Sequence, residues 1–304
     1  MLSRDMDRYV ALQRAGGLKF HHQRGLLQSF VAFAQAEGDS FVRTDRALEW
    51  ASLAPSPNQR RTRLGIVRRF ALAMRPEDPR YEVPSADALG RWRFERQRPH
   101  IYTPNEIARL MRAARDMGPP DSIRPLTYAA LFGLLAATGL RICEALALRV
   151  SDVTGDGLLI REGKFRKSRL VPLHPTTRQA IDGYLSERIK LGNANDSLFV
   201  SDTGKAPAYT TVFATFLKLA RNTRLRGAPH EKGPRLHDFR HTFAVRSLEQ
   251  CGADRREISR HMLALSTYMG HVDASHTYWY LQATPALMKQ VAEAGERLQQ
   301  GGAS

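Results

Sequence analysis

Four short segments hold residue types that together suit attack on a phosphodiester. TGLRICEAL sets Arg141 and Glu144 three apart, on one face of a helix. EGKFRKSRLVPL puts Lys164 and Lys167 on a hairpin. RLHDFRH sets His237 and Arg240 three apart, and MGHVDASHTYWY sets His271 nine residues before Tyr280. Singly, each has an ordinary reading: a salt bridge, a solvated turn lysine, a histidine among phosphate-binding arginines, a tyrosine packed in a core. Together they supply a nucleophile, two fixed positive charges for the nonbridging oxygens, imidazoles for proton transfer, and an ammonium for the leaving group.

Other chemistries lack their residues. No GxxxxGK[ST] loop is present, so no nucleotide triphosphate is implied. His237 and His241 sit four apart, a zinc-like spacing. No third ligand stands nearby beyond Asp238, and Arg240 would repel a cation, so no metal is expected. Two cysteines, Cys143 and Cys251, allow neither a disulfide framework nor a cysteine-rich metal cluster and fit a reducing cytoplasm.

The charge balance names the partner class. Forty-six Lys and Arg face 30 Asp and Glu, a formal net charge of +16 over 304 residues. The excess is concentrated: residues 51–100 carry eleven basic against five acidic groups, and 201–250 carry nine against four. Arginine dominates, which favours bidentate contact with phosphate oxygens. A polyanion, DNA or RNA, is the expected partner; charge kept only for solubility is the bland alternative. The start, MLSRDMDRYV, lacks the apolar core of a signal peptide. The longest apolar stretch, Leu126 to Leu140, is interrupted by Thr127, Gly133 and Thr138 and is too short for a membrane span.

The elements that must position these residues fall into two parts. Residues 1–75 read as a small helical bundle. One helix carries Leu26, Leu27, Phe30, Val31 and Phe33 and stops near Gly38. A second starts at Asp45 and is broken by Pro55 and Pro57. A third is capped by Asn58, with Leu64, Val67 and Leu72 inward and Arg60, Arg61, Arg63, Arg68 and Arg69 outward. Those arginines are the expected DNA contacts. Residues 76–100 mix proline and arginine without periodicity and read as an extended basic linker. A second domain begins near Tyr102. Thr103 and Glu106 form a capping box, a long apolar helix spans 125–137, and TGDG (154–157) opens a strand region. LLIREGK and RLVPL are its paired strands. Helices follow Pro175, occupy TTVFATFLKLARN, and run from His237 to Gln250 and again over 275–299.

The ordered set TGLR…E, GK…K.R.VPL, HDFRH, GH and a tyrosine nine positions later resembles the tyrosine recombinases of the phage-integrase type, over about residues 101–290. The resemblance implies a mainly α fold with a small antiparallel sheet. Residues 1–85 would be a helical, SAM-like core-binding domain, 86–100 a basic linker, and 101–299 a catalytic domain of the DNA breaking-rejoining fold. The two domains would close as a C-shaped clamp on DNA. Arg141 and Arg240 match the two arginines that clamp the scissile phosphate. Lys164 matches the lysine that protonates the departing 5′-oxygen. His237 would act on the tyrosine proton, His271 would bond a phosphate oxygen, and Tyr280 would attack, leaving a 3′-phosphotyrosyl link. Glu144 matches an acidic support residue that orients Arg141. Storing the bond energy in that link removes any need for ATP or metal, so no cofactor is implied.

Further expectations follow from the resemblance. The partner is double-stranded DNA, engaged by a homo-tetramer on paired sites, with accessory recombinases or directionality factors and no membrane. A cytoplasmic, nucleoid-associated enzyme fits. STYMGHVDASHTYWYLQATP resembles integrases borne by transposons and other mobile elements, although REISRHMLALSTYMGH is a longer approach to the GH motif than usual. Residues 284–299, with Leu287, Met288, Val291 and Leu298, offer a helix for a neighbouring subunit or for the same chain. Two alternatives use the same residues. A type IB topoisomerase relaxes supercoils as a monomer, and a non-catalytic relative only binds DNA. The arginine-rich N-terminal helix favours capture of a specific site, and the complete catalytic set argues against decay.

Overall fold

The computed structural model describes residues 1–90, 98–119, 121–161, 168–192, 195–228, 231–251 and 255–270. The chain divides into two units, Met1–Arg96 and Gln97–Ser304. Lys164, Lys167, His271, Tyr278 and Tyr280, and the helices expected over 275–299, lie outside the described residues.

In the first unit, α1 (Leu2–Ala15), α2 (His21–Ala36), α3 (Thr44–Ser52) and α4 (Pro57–Met74) enclose one aromatic core. Leu27, Phe30 and Val31 are buried in it, with Leu26 and Phe33 at its edge. Gly38, just past α2, takes φ 82°, a conformation that suits glycine and ends the helix. The cap of α4 is Ser56 rather than Asn58. The Ser56 hydroxyl accepts from the Gln59 N–H at 3.3 Å, and Pro57, which has no N–H to leave orphaned, fills the first turn.

The faces of α4 also differ from expectation. Leu64 and Val67 are buried, but Leu72 is 45% exposed. At 100° per residue, Leu72 falls on the same outward stripe as Arg61, Arg68 and Arg69. Arg63 points the other way. Its guanidinium lies 4.9 Å from the Trp50 ring centroid and donates to the Trp50 carbonyl at 3.1 Å.

Residues 76–90 are not an extended linker. Tyr81 is 1% exposed, its ring packs edge-on against Phe41 and Phe70, and its hydroxyl donates to Asp5 at 2.8 Å. The Glu82 N–H donates to the Val42 carbonyl at 2.9 Å. A single aromatic anchor holds this segment to the bundle, and no periodicity announces such an anchor.

The second unit is built around α6 (Arg124–Thr138), whose Tyr128, Leu131, Phe132, Leu134 and Leu135 are all buried. A helix apolar on nearly every side must be surrounded. α5 (Pro104–Arg115), α8 (Pro175–Ile189) and α10 (Asp238–Glu249) pack against it, and α9 (Tyr209–Asn222) packs on α5. The capping box of α5 forms as expected: Thr103 Oγ1 accepts from Glu106 N at 3.2 Å, and Glu106 Oε2 accepts from Thr103 N at 2.7 Å. Phe239 stacks between Tyr102 and Phe132, and Phe216 meets Phe132 and Phe239 edge-on.

Among the described residues the sheet has three antiparallel strands in the order β1 (Val153–Thr154), β2 (Gly157–Ile160), β3 (Arg169–Val171). The short β1 adds one strand to the hairpin expected from sequence. Leu158 pairs with Val171 and Ile160 with Arg169. Alternation puts Arg169 and Val171 on one face and the exposed Leu170 on the other. α7 (Ile142–Leu146) precedes the sheet, and α11 (Arg255–Met269) packs on α10 through Val245, Leu248, Met262 and Leu265 and meets β3 at Tyr268.

Candidate active site

Arg141 is the residue before α7, in extended conformation at ψ 143°. Its N–H donates to Glu144 Oε2 at 3.1 Å, so the carboxylate caps the first turn. Its Nη1 donates to Glu144 Oε1 at 2.8 Å and its Nη2 to the Gly270 carbonyl at 3.4 Å. The spacing of three therefore sets both the cap and the side-chain pair.

Arg240, on α10, is 2% exposed. Its Nη1 donates to the Gly139 carbonyl at 2.7 Å and its Nη2 to the Met269 carbonyl at 2.8 Å. Gly139 ends α6 at φ 61°, and a Cβ there would lie 2.7 Å from the Phe243 ring. Only glycine lets the α6 carbonyl reach Arg240 against that ring.

A third guanidinium completes the group. Arg169 Nη1 and Nη2 donate to Glu144 Oε1 and Oε2 at 3.2 and 2.9 Å, and Nε donates to the Tyr268 carbonyl at 2.8 Å. Arg141, Arg169 and Arg240 thus hold Gly270, Tyr268 and Met269, three consecutive carbonyls at the end of α11. Those carbonyls have no helical partner and lie at the negative pole of the helix. Burial raises the Glu144 pKa, but the Arg169 hydrogen bonds and charge, with those of Arg141, outweigh it and hold the carboxyl below its usual range. One carboxylate among three guanidiniums leaves a surplus of positive charge.

His237 caps the start of α10, one turn before Arg240, and its side chain is exposed. Crowding by surrounding protein atoms, then the positive Arg240, lowers its pKa, with Arg141 adding to the effect. Its imidazole is therefore held neutral, the form that accepts a proton. The His241 ring stands perpendicular to it at 4.8 Å between centroids. Burial, then His237, lowers the His241 pKa to about 4. Asp238 is committed to Arg235, which donates to it through its backbone N–H and its guanidinium, each at 2.8 Å.

The comparisons bear on what this cluster is. The family model described as "Phage integrase family" matches residues 101–286. A sequence described as an integrase/recombinase, y4rB, from Sinorhizobium fredii is 39% identical over 96% of each chain. The chain belongs to the phage integrase family. It is accordingly a tyrosine-type recombinase, an enzyme of site-specific DNA recombination. The tyrosine recombinase XerD of Brucella suis is 32% identical over 82% of this chain and 79% of its own. Among solved structures, the Tn1549 transposon integrase in complex with transposon right end DNA superposes with a TM-score of 0.66 at 16% identity, covering 98% and 99% of the chains. At that identity the likeness is one of fold.

For this phage integrase relative, the structure brings Arg141, Glu144, His237 and Arg240 into one neighbourhood. Arg169 joined them unforeseen, although it stands in the K.R.VPL segment. The five arginines of α4 belong to the other unit. Arg60 donates to the Ala54 carbonyl at 2.8 Å and Arg61 to that of Gly90; on the outward stripe Arg69 is exposed and Arg68 half-buried. Among the described residues, no helix is long and apolar enough to cross a membrane, and no cluster suits a metal ion.

Proposed function

We propose that this recombinase cuts and rejoins double-stranded DNA through a 3′-phosphotyrosyl intermediate, using neither metal nor ATP. The observation that carries this reading is the convergence of Arg141 and Arg240 at the end of α11, the helix that runs into His271. In the proposed step the Tyr280 oxygen bonds to phosphorus as the bond to the 5′-oxygen breaks. The tyrosine proton passes to His237, and Lys164 delivers one to the departing oxygen. Arg141 and Arg240 stabilise charge on the nonbridging oxygens, and His271 bonds one of them. Two hydrogen bonds on each arginine fix its guanidinium before the substrate arrives, which makes the site electrostatically preorganised. Glu144 fixes Arg141. Rejoining reverses the same atoms, so strand exchange is nearly isoenergetic. The test is a nicked suicide duplex bearing the ends of the host element: the protein should become covalently attached at the 3′-phosphate. Absence of any attached DNA at such ends would refute the reading.

Paired sites and a homo-tetramer, with accessory recombinases or directionality factors, belong to this proposal, as does a cytoplasmic enzyme on the nucleoid of a cell carrying a mobile element. The N-terminal bundle is proposed to bind DNA as well, with the arginines of 91–98 adding phosphate contacts. Its outward stripe makes a prediction. Arg68→Ala combined with Arg69→Ala should weaken DNA binding and flatten the slope of log affinity against log salt by up to ~0.9 per lost phosphate contact. Arg63→Ala should leave that slope unchanged and lower stability by about 0.5–1 kcal/mol, the loss of its stacking on Trp50. Titrations at several salt concentrations, with urea unfolding alongside, separate the two.

The paired histidines make a second. The unfolded chain protonates His241 near its ordinary value of 6.5, whereas the folded chain does so only at about 4. The unfolded state therefore binds more protons between those values, and stability is lost as pH falls from 6.5 toward 4. His241→Gln should flatten this dependence relative to the parent chain. Urea midpoints measured in steps across that range check it; parallel curves for the two proteins would contradict it.

A further inference from the structure

We propose that Arg169 is a positioning residue for the phosphate clamp, acting on Arg141 through Glu144 and through the carbonyls that end α11. The inference rests on the reading of the site given above.

Arg169 grips both carboxylate oxygens of Glu144, at 3.2 and 2.9 Å, in the parallel fork that fixes a carboxylate in plane and rotation. One of those oxygens is the acceptor for Arg141 Nη1 at 2.8 Å, and the other is the acceptor for the Arg141 N–H at 3.1 Å. Without the fork, Glu144 could turn, and Arg141 would lose its aim. The Glu144 side chain is only 4% exposed, so water is a poor substitute for Arg169.

The same guanidinium spends its remaining edge, Nε, on the Tyr268 carbonyl at 2.8 Å. It closes the run of three carbonyls whose other members are held by Arg240 and Arg141. The chain then turns at Gly270, with φ 67°, into His271. A Cβ on Gly270 would stand 2.8 Å from Arg169 Nη1 and 3.0 Å from its Cζ. Glycine at this turn therefore serves two ends: the left-handed backbone and the room for the guanidinium. One planar side chain on β3 thereby ties the β2–β3 pair to the Glu144 carboxylate that holds Arg141 and to the end of α11. A lysine has no such fork and reaches one acceptor at a time.

The test uses the full chain with nicked suicide duplexes bearing the host element's ends. Cleavage is followed as single-turnover covalent adduct, DNA affinity by titration, and folding by thermal midpoint. At saturating protein, Arg169→Gln should cleave about 10–100-fold more slowly, the loss usual when a residue supporting a reactive group is removed. In a cycle with Glu144→Gln, the double variant should cleave no more slowly than the worse single variant, because both remove one device. Arg169→Lys keeps the charge and carries the test if Arg169→Gln fails to fold; it should restore the thermal midpoint without restoring the rate. Cleavage at the parent rate in Arg169→Gln, losses that add across the cycle, or full rescue of rate by lysine would each overturn the proposal. A parent protein that forms no adduct fails the functional reading itself, and this inference falls with it.

Discussion

Tyr280→Phe will bind its DNA site normally and form no covalent adduct on a nicked suicide duplex. The phenol is the only group in the proposed mechanism that bonds to phosphorus, so removing one oxygen removes the reaction rather than slowing it. Tyrosine ionises near ~10, so attack at neutral pH needs a base and a cationic site. The neutral His237 and the guanidiniums of Arg141 and Arg240 supply these. Two neighbouring tyrosines are candidates to be set aside. Tyr278 is two residues from Tyr280, and only Tyr280 has the nine-residue spacing from His271. Tyr278→Phe should still form the adduct. Tyr268 lies close to the arginines, but its hydroxyl donates to the Pro172 carbonyl at 3.4 Å, and burial pushes its pKa up to about 12, against the opposing influence of Arg169. It stays protonated and engaged. Peptide mapping of the attached DNA decides the matter. A link at Tyr278, or at any residue other than Tyr280, overturns the assignment.

What could be read from the sequence was local. The spacing of three between Arg141 and Glu144 announces a pair, and the pair is found, but Arg141 stands before α7 in extended conformation rather than on its face, and the same spacing makes a cap. The Thr103–Glu106 box, the apolar helix α6 and the hairpin strands rest on equally short-range rules. What escaped was long-range. Arg169 is 25 residues from Glu144 and 99 from Tyr268, and no periodicity links such positions. Its motif contained it, yet a motif states which residues recur and not what each one touches. Tyr81 escaped for a related reason. One buried aromatic in a proline-rich stretch outweighs the lack of pattern around it, so residues read as linker belong to the N-terminal core. Two positions of α4 depart from the expected faces: basic Arg63 packs back on Trp50, and apolar Leu72 is exposed. Its exposure beside Arg68 and Arg69 follows from helical phase alone. Burial is not decided by residue type.

The two clamp arginines should fail differently when truncated. Each is expected to contribute hydrogen bonds to charge that develops only as phosphorus becomes five-coordinate, and loss of one such donor set costs about 10²–10³ in rate. Arg240→Ala and Arg141→Ala should therefore both slow single-turnover cleavage by about that factor. Their structural roles differ. Arg240 is 2% exposed and ties the end of α6 to the end of α11 through the Gly139 and Met269 carbonyls. Its removal takes donors from buried acceptors, which costs about 1–3 kcal/mol for a group left unsatisfied. Arg141 has a 20% exposed side chain, and its carboxylate partner stays in the grip of Arg169. Its removal should leave stability nearly unchanged. Arg240→Lys should recover less than the parent stability, because one ammonium cannot span two carbonyls in the geometry of the fork. Urea unfolding measured beside cleavage, at a temperature where both variants are folded, separates the two roles. Arg240→Ala that unfolds earlier yet cleaves within tenfold of the parent rate would reduce Arg240 to a tie between helices. The phosphate would then be left to Arg141 alone.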